Sequence, residues 1–380
     1  ATSDAAPEGK GSQGRGARSV WRPFPHSEAF SGLVFPRTDV CSLHWTSEGS
    51  SRERLIKHGS WPTKKKIKMT TDVYRDVDGL HVSRIFHESC VRSAMAYKPR
   101  PGDVFIVSYP KCGTTWMQHI VYSIYTGGVP PKDMTEFMTR TPFLELLGAE
   151  GALKMPRPGA IKTHLPYHLQ PYSPDAKYIY VTRNPYDCCV SFYHHTKSFP
   201  AYQFETKSFD EFFEMFITGT ADYGDYFDHQ LSWYDHRDDA NVLLVTYEDL
   251  KKDARSWILK VAEFLGEEYA TRLREDEEVL NRVLKVTGIE FMKGFNEEYK
   301  RWTEQAQELT NEISGLNVAR ESSLTDDLKK PMTGDFVRKG IVGDWRNHFS
   351  KEQIKRMKER IALKTRGSTL MDLWKDVELP

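Results

Sequence analysis

The chain has 380 residues, 39% hydrophobic and 28% charged, a globular composition with room for one large domain or two ordinary ones. Its 53 Lys and Arg balance 53 Asp and Glu, so net charge gives no case for a nucleic-acid partner or an acidic membrane surface. No run of about 18 apolar residues is present to span a bilayer, so no membrane association is expected.

Residues 1–70 are rich in Gly, Ser, Pro and Arg, carry twelve Lys or Arg against six Asp or Glu, and show no sustained periodicity. They read as a disordered N-terminal extension ahead of one domain over 71–380. Met69 is the first methionine, which makes it a candidate native start, and the basic cluster Lys64, Lys65, Lys66 and Lys68 just before it needs no role of its own. From 72 to 100, Val82, Ile85, Phe86, Cys90, Val91 and Met95 suggest a short helix or two.

The run Val104-Phe105-Ile106-Val107 has the length and composition of a buried strand. It leads through Tyr109-Pro110-Lys111-Cys112-Gly113-Thr114-Thr115 into a helix marked by Trp116, Ile120, Val121 and Ile124. A turn of that kind leaves unpaired N–H groups at a helix start, and together with the helix dipole they favour an anion. Lys111 and the hydroxyls of Thr114 and Thr115 strengthen this P-loop-like phosphate site. It is not a Walker sequence, because the lysine precedes Gly113 by two residues.

Further strands follow at Ala160–Thr163, Lys177–Thr182 and Asn241–Tyr247, with a weaker helix at 143–148 and helices at 188–195, over Phe209 to Phe216, and at 226–237. Another helix opens at Glu248-Asp249 and ends near Gly266, and one more region is helical from Leu280 to Lys293. The stripe of Phe209, Phe212, Phe213 and Phe216 reads as core packing. A polar stretch at 296–335 is long for a connector, and the chain closes with a basic amphipathic helix.

Strands alternating with helices predict an α/β fold: a single domain whose central parallel sheet is flanked by helices. Ligands of such folds bind at the carboxyl ends of the strands. Lys111, Lys162, His164, Arg183 and Tyr247 all fall at or just after strand ends, which argues for one shared site. Lys162 and His164 lie two residues apart, so a strand puts them on one face. With Arg338 and Lys339 the site holds more cation than one diphosphate needs. No carboxylate pair marks a Mg²⁺ site, and no metal is expected.

Four segments carry a resemblance: SYPKCGTTW from Ser108, KTHLP from Lys162, YVTRNPYDCCVSFYHH from Tyr180, and FVRKGIVGDWRNHF from Phe336. In order and spacing the chain resembles the cytosolic sulfotransferases over roughly residues 72–370. The resemblance implies 3′-phosphoadenosine 5′-phosphosulfate as donor and a small-molecule phenol or alcohol as acceptor, in the cytoplasm. It implies that Lys111, Cys112, Gly113, Thr114 and Thr115 hold the 5′-phosphosulfate and that Trp116 stacks on the adenine. Arg183 and Ser191 with Arg338, Lys339 and Gly340 would hold the 3′-phosphate, and Tyr247, Thr287 and Ile289 would lie near the adenine. His164 would be the general base, Lys162 would sit on the sulfuryl group, and Lys111 would stabilise charge on the leaving phosphate oxygen.

Cys112 stands where the family most often has Ser, Ile289 where an aromatic usually stacks, and His195 where Phe is common. The family's Lys-x-x-x-Thr-Val-x-x-x-Glu dimer motif is not kept over Arg346 to Lys355, which leaves the oligomeric state open.

Five cysteines, Cys41, Cys90, Cys112, Cys188 and Cys189, fit neither a disulfide framework nor a zinc spacing and suit a reducing compartment. Two other readings compete with this one. A nucleoside or small-molecule kinase would need the Walker lysine and a carboxylate pair. A nucleotide-binding regulator without turnover would have no use for Lys111, Lys162 and His164 together.

Overall fold

In the computed structural model, which describes residues 73–301 and 330–380, the chain opens with an antiparallel hairpin. β1 (Tyr74–Val77) turns through Asp78 and Gly79, both at positive φ (52° and 89°), into β2 (Leu80–Ser83). The helical expectation for 72–100 is therefore corrected at Val82, which lies in β2. Asp-Gly with two positive φ values is a hairpin turn, and Leu80 and Val82 alternate as strand residues do. Only α1 (Glu88–Met95) is helical there, capped by His87. The expected N-terminal extension, including Lys64 to Lys66 and Met69, and most of the 296–335 stretch lie outside the described residues.

β3 (Val104–Val107) is buried along its whole length. It is followed by α2 (Thr114–Thr126), α3 (Met134–Arg140), α4 (Leu144–Lys154), which bends at Gly148, and β4 (Ile161–Thr163). Next come β5 (Lys177–Thr182), α5 (Pro185–Ser198), α6 (Phe209–Thr218), α7 (Tyr226–Tyr234) and β6 (Val242–Thr246). The helix expected from Glu248 to Gly266 is two: α8 (Tyr247–Lys252) and α9 (Ala254–Leu265). Asp253 breaks it and accepts from the Ser256 N–H at 3.0 Å as a new N-cap. α10 (Glu267–Glu275), like α3, was not anticipated. The region Leu280–Lys293 also divides, into α11 (Glu277–Val286) and α12 (Ile289–Lys293), and the break leaves Thr287 outside both helices. Last is α13 (Lys351–Lys364), which Ser350 and Gln353 start with a capping box.

β4, β3, β5 and β6 lie side by side in that order, all parallel. Val104, Ile106, Ile179 and Val181 face one side and pack with α2, α9 and α11. Phe105, Val107, Tyr178 and Tyr180 face the other, against Trp233 and α4. Period-two side chains covered on both faces explain why these strands are continuous apolar runs. A third, aromatic cluster joins α5, α6 and α7 and contains Phe212, Phe213 and Phe216, with Phe209 packed on its edge. Because the strands are parallel, all four carboxyl ends emerge along one rim.

Candidate active site

Along that rim lies a cavity of about 320 Å³. After β3 the backbone turns through Lys111, with φ of 69°, and Gly113, with φ of 113°, which caps the start of α2. Lys111, Gly113, Thr114, Thr115 and Trp116 all line the cavity. The Cys112 side chain does not: its thiol is buried against Cys188 Sγ at 3.7 Å and Gln230, so any contribution there is through its backbone.

β4 delivers Lys162 and His164 to the same cavity. His164 Nδ1 lies 2.7 Å from the Ser108 carbonyl oxygen. A carbonyl only accepts, so Nδ1 carries the proton and Nε2 keeps its lone pair. The His164 backbone N–H donates to Glu145 Oε1 at 2.6 Å, and its carbonyl lies 2.9 Å from His229 Nε2. Phe143 and Tyr223 stand edge-on to the ring at 5.2 Å each. Burial and the charge of Lys162 hold this imidazole well below its ordinary value, so it is neutral at physiological pH.

Burial, joined by the charges of Lys162, Arg183 and Arg338, lowers Lys111 to about 7. Its ammonium sits 4.3 Å from the centre of the Phe336 ring. Burial likewise lowers Lys162 to about 8, against the pull of Glu145, and its ammonium is 4.0 Å from the Phe143 ring. Glu145 is itself raised to about 7 by burial.

Arg183, leaving β5, stacks 4.3 Å over the Tyr247 ring and donates to the Ile341 carbonyl at 3.0 Å, while its buried Nε has no partner. Ser191, on α5, lines the cavity too. Trp116 donates from Nε1 to the Thr287 carbonyl at 2.9 Å and meets Tyr247 edge-on at 5.4 Å. The interruption between α11 and α12 is what brings Thr287 and Ile289 to this wall. Arg338, Lys339 and Gly340 complete it. Gly340, at φ of 63°, packs so closely on Ile289 that a Cβ would lie 2.5 Å from its Cδ1.

Sequence reasoning missed Asp344, Glu145, Ser108 and Asp187. Asp344 is 1% exposed and binds Arg338 at 2.6 Å and Lys339 at 2.8 Å. Burial alone would raise its carboxyl, but hydrogen bonds from Lys339, Asn347 and Arg338 hold it well below the usual range. Asp187 accepts from the Gly343 and Trp345 N–H groups at 2.7 and 3.0 Å, fastening this segment to the start of α5. Asp344 lies in the same sequence segment as its two cations; for Glu145, one of two glutamates in α4, no sequence signal sets it apart. Among the described residues, no cluster of His, Cys, Asp and Glu could hold a metal ion, and no helix is long and apolar enough to cross a membrane.

A P-loop-like turn beside a group of cations, at the carboxyl rim of a parallel sheet, suits a protein that grips the anionic groups of a nucleotide. The chain belongs to the sulfotransferase family: the model for the sulfotransferase domain matches residues 101–369. Rat Sulfotransferase 1C2 is 34% identical over 284 residues, covering 72% of this chain and 86% of the relative. Mouse Sulfotransferase 1 family member D1 is 33% identical over 315 residues, 79% of this chain and 96% of that one. Among solved structures, mouse sulfotransferase SULT7A1 complexed with PAP superposes with a TM-score of 0.60 at 29% identity, covering 80% of this chain and 99% of that chain. The protein is thus a sulfotransferase that uses 3′-phosphoadenosine 5′-phosphosulfate to modify small molecules, and the kinase alternative is set aside.

Proposed function

We propose that His164 is the general base of sulfuryl transfer to a phenol or alcohol, and that Lys111 and Lys162 stabilise the charge that moves. The observation that carries this reading is the His164 tautomer: with Nδ1 committed to the Ser108 carbonyl, Nε2 is a neutral acceptor in the cavity. The donor supplies an activated sulfuryl group. In this reading Lys162 meets that group and Lys111 the phosphate oxygen it leaves, and their proximity to the aromatic rings of Phe143 and Phe336 supports strong electrostatic action there. Trp116, Tyr247, Thr287 and Ile289 form the wall suited to adenine. Arg183, Ser191, Arg338, Lys339 and Gly340 suit the 3′-phosphate; the buried, unpartnered Nε of Arg183 supports an anion there. The backbone at Lys111 to Thr115, Cys112 and Gly113 included, suits the 5′ side.

We assign this activity to residues 71–380, the span that holds every residue lining the cavity. The cytoplasm is the compartment we propose, because Cys90, Cys112, Cys188 and Cys189 are free thiols.

The test is His164→Ala. Single-turnover transfer should fall on the order of 10²–10⁴-fold, while affinity for 3′-phosphoadenosine 5′-phosphate stays close to wild type. A folded variant with near-normal single-turnover rate would remove His164 from the base role.

A further inference from the structure

His195 is a half-buried imidazole for which the transfer chemistry gives no use. It projects from α5 into the cavity, with Nδ1 3.5 Å from the Lys111 ammonium. Beside an anionic donor Lys111 is held as ammonium, which has donors only. Nδ1 is then the lone-pair nitrogen, and the ring proton lies on Nε2. That Nε2 has no hydrogen-bond partner among the described residues. The walls around it are aromatic: Phe199 at 4.6 Å, Phe336 at 6.0 Å and Tyr202 at 6.1 Å between ring centres. The Tyr202 hydroxyl is committed to Asp222 at 2.7 Å. Burial and the charge of Lys111 keep the imidazole neutral, so it acts as a hydrogen-bond donor and not as a further cation. A donor set among aromatic rings is unfavourable unless an oxygen meets it.

We propose that His195 determines acceptor choice by donating its Nε2–H to a second oxygen of the acceptor, a hydroxyl, ether or carbonyl on the same ring system as the hydroxyl that is sulfated. The inference rests on the transfer reading of this cavity. It narrows the acceptor class to oxygen-substituted phenols or cyclic alcohols, with the second oxygen on the side of the imidazole turned away from Lys111. A hydrogen-bonding site rejects analogues lacking the matching group far better than an apolar pocket rejects an extra one.

The experiment compares kcat/KM, with labelled donor, for phenol and the three dihydroxybenzenes, on wild type, His195→Phe and His195→Gln. In wild type, at least one dihydroxybenzene should exceed phenol by about tenfold, the worth of one hydrogen bond, beyond the factor of two for its second hydroxyl. His195→Phe should collapse that ratio, and His195→Gln, whose amide still donates, should keep part of it. Because the ratio is taken within one preparation, a loss of folded enzyme does not move it. Overturning results are a wild-type ratio no larger than twofold for all three diols, a ratio unchanged in His195→Phe, or a wild type that binds 3′-phosphoadenosine 5′-phosphate yet transfers to none of the four. Failure to bind that nucleotide at all would strike the donor reading first and this proposal with it.

Discussion

The two ends of the cavity hold their positive charges in opposite ways. At one end Lys111 and Lys162 stand against the rings of Phe336 and Phe143, and burial lowers them to about 7 and about 8. At the other, Arg338 and Lys339 share the buried carboxylate of Asp344, which is tied through the backbone at Gly343 and Trp345 to Asp187. The first arrangement leaves charge poorly compensated until an anion arrives. The second assembles a cationic clamp beforehand, at the cost of part of its attraction. This difference suits a division of labour in which the lysine end acts on the transition state and the arginine end acts on ground-state binding.

Three perturbations would break or sharpen that contrast. Lys111→Met should have the largest effect, lowering single-turnover rate by about 10²–10³, the scale of losing one stabilising group. It should also change a pH dependence. A bound anion favours charged lysine, so wild-type affinity for 3′-phosphoadenosine 5′-phosphate should weaken above pH of about 7, and titration calorimetry from pH 6 to 9 should show that break vanish in the variant. The uncomplexed protein should behave in the reverse sense. Its lowered lysines bind fewer protons than those of the unfolded chain, so stability should rise as pH increases from about 7 toward the ordinary lysine value of 10.5.

Asp344→Asn comes next. Donor-product affinity should fall about tenfold, and the denaturant midpoint should drop by the equivalent of about 1–3 kcal/mol, less than for a fully buried pair because Arg338 and Lys339 reach solvent. If the rate suffers and affinity does not, the division of labour is wrong. The smallest effect should come from Trp374→Phe. Trp374 Nε1 donates to Glu248 at 2.8 Å, and Glu248 accepts from Asn184, which caps α5. Its loss should cost about 1 kcal/mol, with donor affinity changed less than in Asp344→Asn; a larger change would extend the clamp's bracing to the C-terminal residues.

The same contrast shows what could be read from the residues alone. The sheet was legible because strands covered on both faces must be apolar throughout, and Val104–Val107 and Lys177–Thr182 emerge with the anticipated bounds. Lys111, Lys162, His164 and Arg183 were legible as a group because parallel strands deliver their carboxyl ends to one rim. What compensates or orients those groups was not. Glu145 reaches the His164 backbone only through packing, Asp344 lies close in sequence to the cations it holds but nothing in that spacing says it is buried, and the Ser108 carbonyl that sets the His164 tautomer carries no side-chain signature. Cys112 shows the converse limit: its place in the phosphate turn made it a candidate, but its thiol turns inward to Cys188. At Asp78-Gly79 a local turn signal competes with the helical spacing of the apolar residues that follow, and the turn prevails.

Lys111 occupies the left-handed region at φ of 69°, a conformation that costs a non-glycine residue about 1–2 kcal/mol. Its position therefore asks for two incompatible things, a long cationic side chain and the backbone of glycine. Laboratory evolution for heat tolerance, blind to turnover, should drift toward Lys111→Gly. It would relieve the backbone and the crowding of like charge in one step, and the hardier protein it returned would lack the ammonium that stands beside Phe336.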